Sequence, residues 1–234
     1  LSVSDIKIGY YIVEMKILLI SSAESGPLAI KNEHAEKIVS QDSSIEVAVV
    51  SAKAQEDIQK HLQDADIIAG VPRVIPDLSL AAKLKWVHSF SAGMDMVLTP
   101  ELINSPILVS NSSGIHATPI GEHVLGFMLL FTRKFYQTFQ NQQQKLWQKD
   151  ESITELRGKT VLIVGLGHIV KEVARLSRCF GAEVFTVDKK ETPEYLNEML
   201  PRADFVVLCL PYTKETHHFF RKEHLAKMKP TAVL

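Results

Sequence analysis

The sequence predicts an α/β protein of two doubly wound parallel-sheet domains. Three observations carry this reading. Short apolar runs alternate with amphipathic stretches of helical length; five such runs precede one long apolar helix; and a glycine pair follows a later run, where another helix opens. With 234 residues and 46% hydrophobic content there is enough apolar material to bury a substantial core.

Met15 is followed at once by Lys-Ile-Leu-Leu-Ile, which reads as a natural start and a first strand. Leu1–Glu14 have neither a basic start nor a small-residue cleavage site, so they are a poor signal peptide and are expected to be an upstream extension. The candidate strands of the first domain are Lys16–Ser21, Ile45–Ser51, Asp66–Gly70, Lys85–Ser89 and Ile107–Ser110, with helical spacing over Ile30–Ser40 and Ala54–Gln63. A helix is expected from Thr118-Pro119, where Thr caps, Pro suits the first helical position and Glu122 favours the dipole. Ile120, Val124, Phe127, Met128 and Phe131 share one face of it, and Leu125, Leu129 and Leu130 add a second. Such a helix must be buried nearly all round, which places it between domains or between subunits. Its glutamine-rich continuation, Gln137–Gln148, is expected to be solvated. The second domain then reads as strand Lys159–Gly165, helix His168–Phe180, strand Glu183–Asp188, helix Pro193–Leu200, strand Asp204–Leu210, helix Lys222–Lys227 and a strand opening at Ala232.

Composition narrows the function. Lys and Arg total 26 against 27 Asp and Glu, so no basic footprint points to nucleic acid or to a membrane surface. No apolar run approaches the roughly 18–20 residues of a membrane span. Cys179 and Cys209 are too few for a disulfide framework and lack zinc-site spacing, which favours buried free thiols in a cytoplasmic setting. A small molecule or a second copy of the chain is the expected partner.

The chemistry-bearing signal is Thr160-Val-Leu-Ile-Val-Gly-Leu-Gly-His-Ile-Val170. Gly165 allows the tight turn and Gly167 lets backbone approach a pyrophosphate, while the helix amino end supplies N–H donors and a favourable dipole. Asp188 ends the next strand 23 residues after Gly165, where an acid holds ribose hydroxyls and favours NAD over NADP. Lys189 and Lys190 argue the other way, since either can pair with a 2′-phosphate. Val170 replaces the third glycine of the fingerprint and is expected to push the helix outward or distort the turn.

With these residues in view, Glu155-Leu-Arg-Gly-Lys-Thr-Val-Leu-Ile-Val-Gly-Leu-Gly-His-Ile resembles the cofactor-domain opening of the D-isomer-specific 2-hydroxyacid dehydrogenases. Trp86-Val-His-Ser-Phe-Ser-Ala-Gly-Met-Asp95 is similar to that family's substrate loop. Asn111-Ser-Ser-Gly-Ile-His-Ala-Thr-Pro-Ile-Gly-Glu-His-Val124 resembles its interdomain crossover, and Ala203-Asp-Phe-Val-Val-Leu-Cys-Leu-Pro-Tyr-Thr-Lys-Glu-Thr216 its adenosine-side loop. The resemblance implies a flavodoxin-like substrate domain over 15–114 and a Rossmann dinucleotide-binding domain over 115–234. It also implies hydride exchange between a nicotinamide and a small 2-keto or D-2-hydroxy acid, and a homodimer through the helix near 119–133. Backbone N–H groups of Ser91, Ala92 and Gly93 would hold the substrate carboxylate, as a small-residue loop can present consecutive amides to an anion. Gly165, Gly167, His168 and Ile169 would line the pyrophosphate, Asp188 the ribose, and Leu210, Pro211 and Thr216 would flank the cofactor. Beside the family, the segment between Asp188 and Pro201 looks short, as if a loop near Lys190–Pro193 were missing.

By the same resemblance the catalytic Arg, His and acid are expected beyond Leu234, since no residue before it matches them. Four histidines could be considered as substitutes. His123 reads as a hydrogen-bonded structural imidazole, and His168 sits where a helix dipole disfavours the protonated form. His88 and His116 are placed beside the substrate cleft without a visible orienting carboxylate. His217-His218 read as a solvated pair pointing apart, and Trp86 and Trp147 as packing residues. Two readings follow: an NAD-dependent oxidoreductase whose catalytic segment is outside this sequence, or a non-catalytic dinucleotide-binding sensor, corepressor-like protein or inactive fragment.

Overall fold

A computed structural model describes residues 15–26, 29–70, 78–95, 97–191 and 193–234. The expected extension Leu1–Glu14 lies outside the described residues. The chain divides into two units, one up to Ser112 and one from Ser113 onward.

In the first unit β1 (Met15–Ser21), β2 (Ile45–Ser51), β3 (Ile67–Gly70), β4 (Trp86–Ser89) and β5 (Leu108–Asn111) form one parallel sheet in the order β2-β1-β3-β4-β5. α1 (Asn32–Val39), α2 (Gln55–Leu62) and the single-turn α3 (Pro100–Ile103) are the helical connections, with a 3₁₀ turn at Leu78–Leu80. This is the flavodoxin-like order expected, and strand ends differ from the sequence reading by at most one residue. β1 lies inside the sheet, and Leu18, Leu19 and Ile20 are consecutive apolar residues because both faces of the strand are covered, which buries them to 1–2% exposure. Leu18 and Ile20 join Ile58, Leu62, Ile68, Val87, Val97 and Leu102 in the core.

The second unit opens with α4 (Ala117–Thr132) and α5 (Phe135–Gln143), followed by β6 (Thr160–Val164), α6 (His168–Cys179), β7 (Glu183–Val187), α7 (Pro193–Met199), β8 (Phe205–Leu208) and α8 (Lys222–Leu225). The strands are parallel in the order β7-β6-β8. Val233 bridges Phe205 in parallel, so the expected strand at Ala232 is present as a single bridge. β6 is apolar throughout because each face meets a different layer. Val161 and Ile163 pack with Met128, Val170 and Val173 of α4 and α6, whereas Leu162 and Val164 pack with Leu196 and Met199 of α7. Helices on both faces of a parallel sheet make this half doubly wound as well.

Several expectations need correction. α4 begins at Ala117 rather than Thr118, with no side-chain cap at His116. Gly114, at φ 98°, accepts the Ala117 N–H at 3.0 Å, so the chain is already turning before Thr118 and Glu122 falls beyond the first turn. Lys134 takes a left-handed conformation (φ 55°), which separates α5 from α4 where one continuous helix was expected. On α4, expected to lie between domains or between subunits, Ile120, Phe127 and Phe131 are 36%, 49% and 39% exposed in the single chain. The helix packs tightly on α6 through Gly121, where a Cβ would lie 2.8 Å from Glu172 Cγ, and its opposite face is left open. Val170 does not distort the turn, since α6 starts regularly and Lys171 N–H reaches the Gly167 carbonyl at 3.1 Å; the Val170 side chain is buried in the core. Cys179 is exposed at the last turn of α6 and Cys209 half-buried. Trp147 is fully exposed instead of packed. Between β7 and α7, where a shortened loop is expected, Thr192 lies outside the described residues.

Candidate functional site

In a parallel sheet all loops after the strands lie at one edge. The β7-β6-β8 order reverses direction between β6 and β8, and ligands of doubly wound folds bind outside the carboxyl ends of strands at such a reversal. The three candidate segments of the second unit, 165–169, Asp188 and 210–216, follow β6, β7 and β8 and share that edge.

Gly165 is buried and its N–H donates to the Val187 carbonyl at 2.8 Å. At φ 137° an added Cβ would sit 2.3 Å from the Cys209 carbonyl oxygen, so only glycine lets β6 and β8 approach at this turn. Gly167 is different: a Cβ there would meet nothing within 4 Å. Its bareness leaves open space in front of the helix end. The N–H groups of His168, Ile169 and Val170 have no acceptor among the described residues, as expected for a helix first turn without a cap. An anion brought against Gly167 would meet those donors and the positive end of a 12-residue helix. The His168 ring is exposed and lies about 3.5 Å from where a Gly114 Cβ would be, while Ile169 packs on the core.

Asp188 is half-buried directly after β7, and its Oδ1 accepts the Lys190 N–H at 2.6 Å. That bond holds the carboxylate in a turn, and Lys189 and Lys190 are exposed beside it. Leu210 packs against the core between the sheet and α7, and Pro211 is exposed. The Thr216 hydroxyl is engaged within its own loop: it donates to the Pro211 carbonyl and accepts the Thr213 N–H at 2.9 Å. Thr216 thus shapes the loop that flanks the turn. Burial holds the half-buried Cys209 thiol above its ordinary pKa, so it stays protonated at neutral pH.

The candidate anion loop of the first unit, 89–95, follows β4. Ser89 is fully buried, and its hydroxyl accepts the Ser91 N–H at 3.0 Å. The Ser91 amide is therefore occupied, whereas those of Ala92 and Gly93 have no partner among the described residues. The Asn111 amide donates to the Ala92 carbonyl at 2.7 Å, and the Ser112 N–H and hydroxyl reach the carbonyls of Ser91 and Ser89. Asn111, Ser89 and Ser112 were not singled out from sequence; the small polar residues that close β4 and β5 are the signal that could have found them.

The other histidines carry little. His123 is exposed, with its ring edge against Phe127 at 4.8 Å in place of the expected hydrogen bond. His116 is exposed. His217 and His218 do not point apart: the left-handed backbone at His218 (φ 55°) brings the rings to 3.9 Å.

Fold and turn together define a parallel-sheet, dinucleotide-binding type of protein. Residues 125–234 match the family model of the D-isomer specific 2-hydroxyacid dehydrogenase NAD binding domain, and the chain carries a domain of that family. Over 218 residues it is 28% identical to a D-3-phosphoglycerate dehydrogenase of Methanocaldococcus jannaschii, covering 87% of this chain and 41% of that protein. Over 201 residues it is 29% identical to a hydroxypyruvate reductase of Thermotoga maritima, covering 81% and 66%. The crystal structure of a D-isomer specific 2-hydroxyacid dehydrogenase family protein from Aeromonas salmonicida superposes with a TM-score of 0.78 at 29% identity, covering 94% of this chain and 71% of that one. The chain thus spans about two fifths of the length of the M. jannaschii relative.

Proposed function

We propose that this chain forms the cofactor-binding and carboxylate-binding parts of an NAD-dependent oxidoreductase that interconverts a small 2-keto acid and a D-2-hydroxy acid. The observation that carries the reading is the bare turn at Gly167, open in front and backed by three N–H groups without an acceptor among the described residues, at the β6/β8 reversal. A dinucleotide fits there: Gly167 makes room, the amides of His168, Ile169 and Val170 meet pyrophosphate oxygens, and Asp188 accepts from ribose hydroxyls. Leu210, Pro211 and Thr216 flank the adenosine side. Bound in this way, NAD supplies hydride acceptance and donation. Ala92 and Gly93 direct two amides at the substrate carboxylate, with Ser91 shaping their turn. The domains are then a substrate domain over 15–114 and a cofactor domain from 115. The protein works in the cytoplasm as a homodimer through α4, and neither nucleic acid nor membrane is a partner.

Replacing Asp188 with Ala tests the cofactor half. NADH binding, followed by its fluorescence, weakens about tenfold and the preference over NADPH narrows, since a lost charge-assisted hydrogen bond to a hydroxyl costs about 1.5–3 kcal/mol. Unchanged titrations with both cofactors would reject the role of this acid. A non-catalytic sensor would bind NADH equally well; turnover of glyoxylate with NADH separates the two.

A further inference from the structure

His88 stands on β4 between Trp86 and Phe90, whose rings meet its own edge-on at centroid distances of 5.9 and 5.5 Å. Its Nδ1 is 2.8 Å from Ser110 Oγ, which accepts the Trp86 indole N–H at 2.7 Å. A serine hydroxyl has one proton, and that of Ser110 has no other acceptor among the described residues. Placed toward His88 Nδ1, it leaves the ring proton on Nε2. Nε2 faces Ser112 Oγ at 3.4 Å, and Ser112 Oγ donates to the Ser89 carbonyl at 3.2 Å. One directed chain thus runs from Trp86 through Ser110, His88 and Ser112 to the residue that opens the 89–93 turn. Ser110 and Ser112 alternate along the end of β5, and Asn111 between them holds the Ala92 carbonyl at 2.7 Å, so the turn is tied twice to one strand end.

We propose that His88 is a positioning residue. As the Nε2-protonated ring it accepts at one end and donates at the other, and so holds the 89–93 turn with the amides of Ala92 and Gly93 free to take a 2-keto acid carboxylate. The inference rests on the substrate-binding reading of that turn. Neither His88 nitrogen has a carboxylate within hydrogen-bond distance among the described residues, so the ring acts by geometry rather than as an oriented acid.

The test uses 15N-labelled protein saturated with NADH and titrated with glyoxylate, following the Ala92 and Gly93 amide resonances. In the wild type both shift and saturate, and the His88 ring nitrogens show the Nε2–H tautomer. His88→Leu weakens glyoxylate binding about tenfold, the scale of one lost hydrogen bond, with NADH affinity unchanged. His88→Gln, which keeps an acceptor and a donor on one side chain, recovers most of it. Glyoxylate binding by His88→Leu at wild-type strength, or an Nδ1–H ring in the wild type, overturns the proposal. Should His88→Leu fail to fold, the wild-type tautomer decides alone. Absence of any Ala92 or Gly93 shift in the wild type, with NADH still bound, overturns the substrate-loop reading itself and the inference with it.

Discussion

An alanine at Gly165 would set its Cβ 2.3 Å from the Cys209 carbonyl, a distance that backbone on two adjacent strands cannot relieve cheaply. Gly165→Ala is expected to lower stability by about 3 kcal/mol in urea unfolding, and a midpoint like that of the wild type would contradict the close approach. Sequence spacing identifies this glycine but assigns it only to the tight turn; the crowding comes from β8, over forty residues away. The same limit applies at Ser91. Its place in a small-residue loop is readable, yet the loss of its amide to the Ser89 hydroxyl depends on how the bend closes. Thr216, expected beside the cofactor, likewise turns its hydroxyl into its own loop, because Pro211 and Thr213 present their groups there.

Strands are the elements most legible in the sequence, since a parallel strand covered on both faces is a short continuous apolar run, as at Leu18–Ile20 and Val161–Val164. Helix boundaries are less so: α4 starts where Gly114 turns the chain, and stops where Lys134 goes left-handed, and neither event has a unique residue signature. Of the two apolar faces of α4, one meets α6 and the other, with Phe127 and Phe131, is uncovered in a single chain. Exposed apolar faces of this kind mark interfaces, and a second copy through the same helix is the occupant proposed above. Replacing both Phe127 and Phe131 with Asp should convert a dimer to a monomer in sedimentation while changing the unfolding midpoint of the monomer little. A variant that sediments like the wild type would rule out this face.

Across the whole molecule the two sheets repeat one device. Asp66, just before β3, accepts the Lys16 N–H at 3.0 Å and pairs with Lys85 at 2.8 Å; Asp204, just before β8, accepts the Thr160 N–H at 2.8 Å and pairs with Lys229 at 2.8 Å. In each unit the carboxylate ties the start of the unit's first strand, β1 or β6, to the neighbouring strand that follows the carboxylate. The Lys85 ammonium, aided by the Lys16 amide, holds Asp66 below the ordinary carboxylate range. Burial alone would raise Asp204, but Lys229 and the Thr160 amide outweigh it and hold it low as well. A depressed carboxylate contributes stability that is fully present above its unfolded pKa of about 3.9 and is lost as pH falls through the lower folded value. Asp66→Asn and Asp204→Asn should each cost about 1 kcal/mol at pH 7 and flatten the acid limb of the stability curve below about pH 4. An unchanged limb in both would remove the clamp from the account. Adding NADH to 15N-labelled protein probes the dinucleotide seat at the bare turn after β6. Saturable shifts are expected at His168, Ile169 and Val170, largely abolished in a folded Gly167→Ala variant whose Cβ fills the open space; saturation elsewhere with these three amides unmoved would show that the dinucleotide does not sit at this turn.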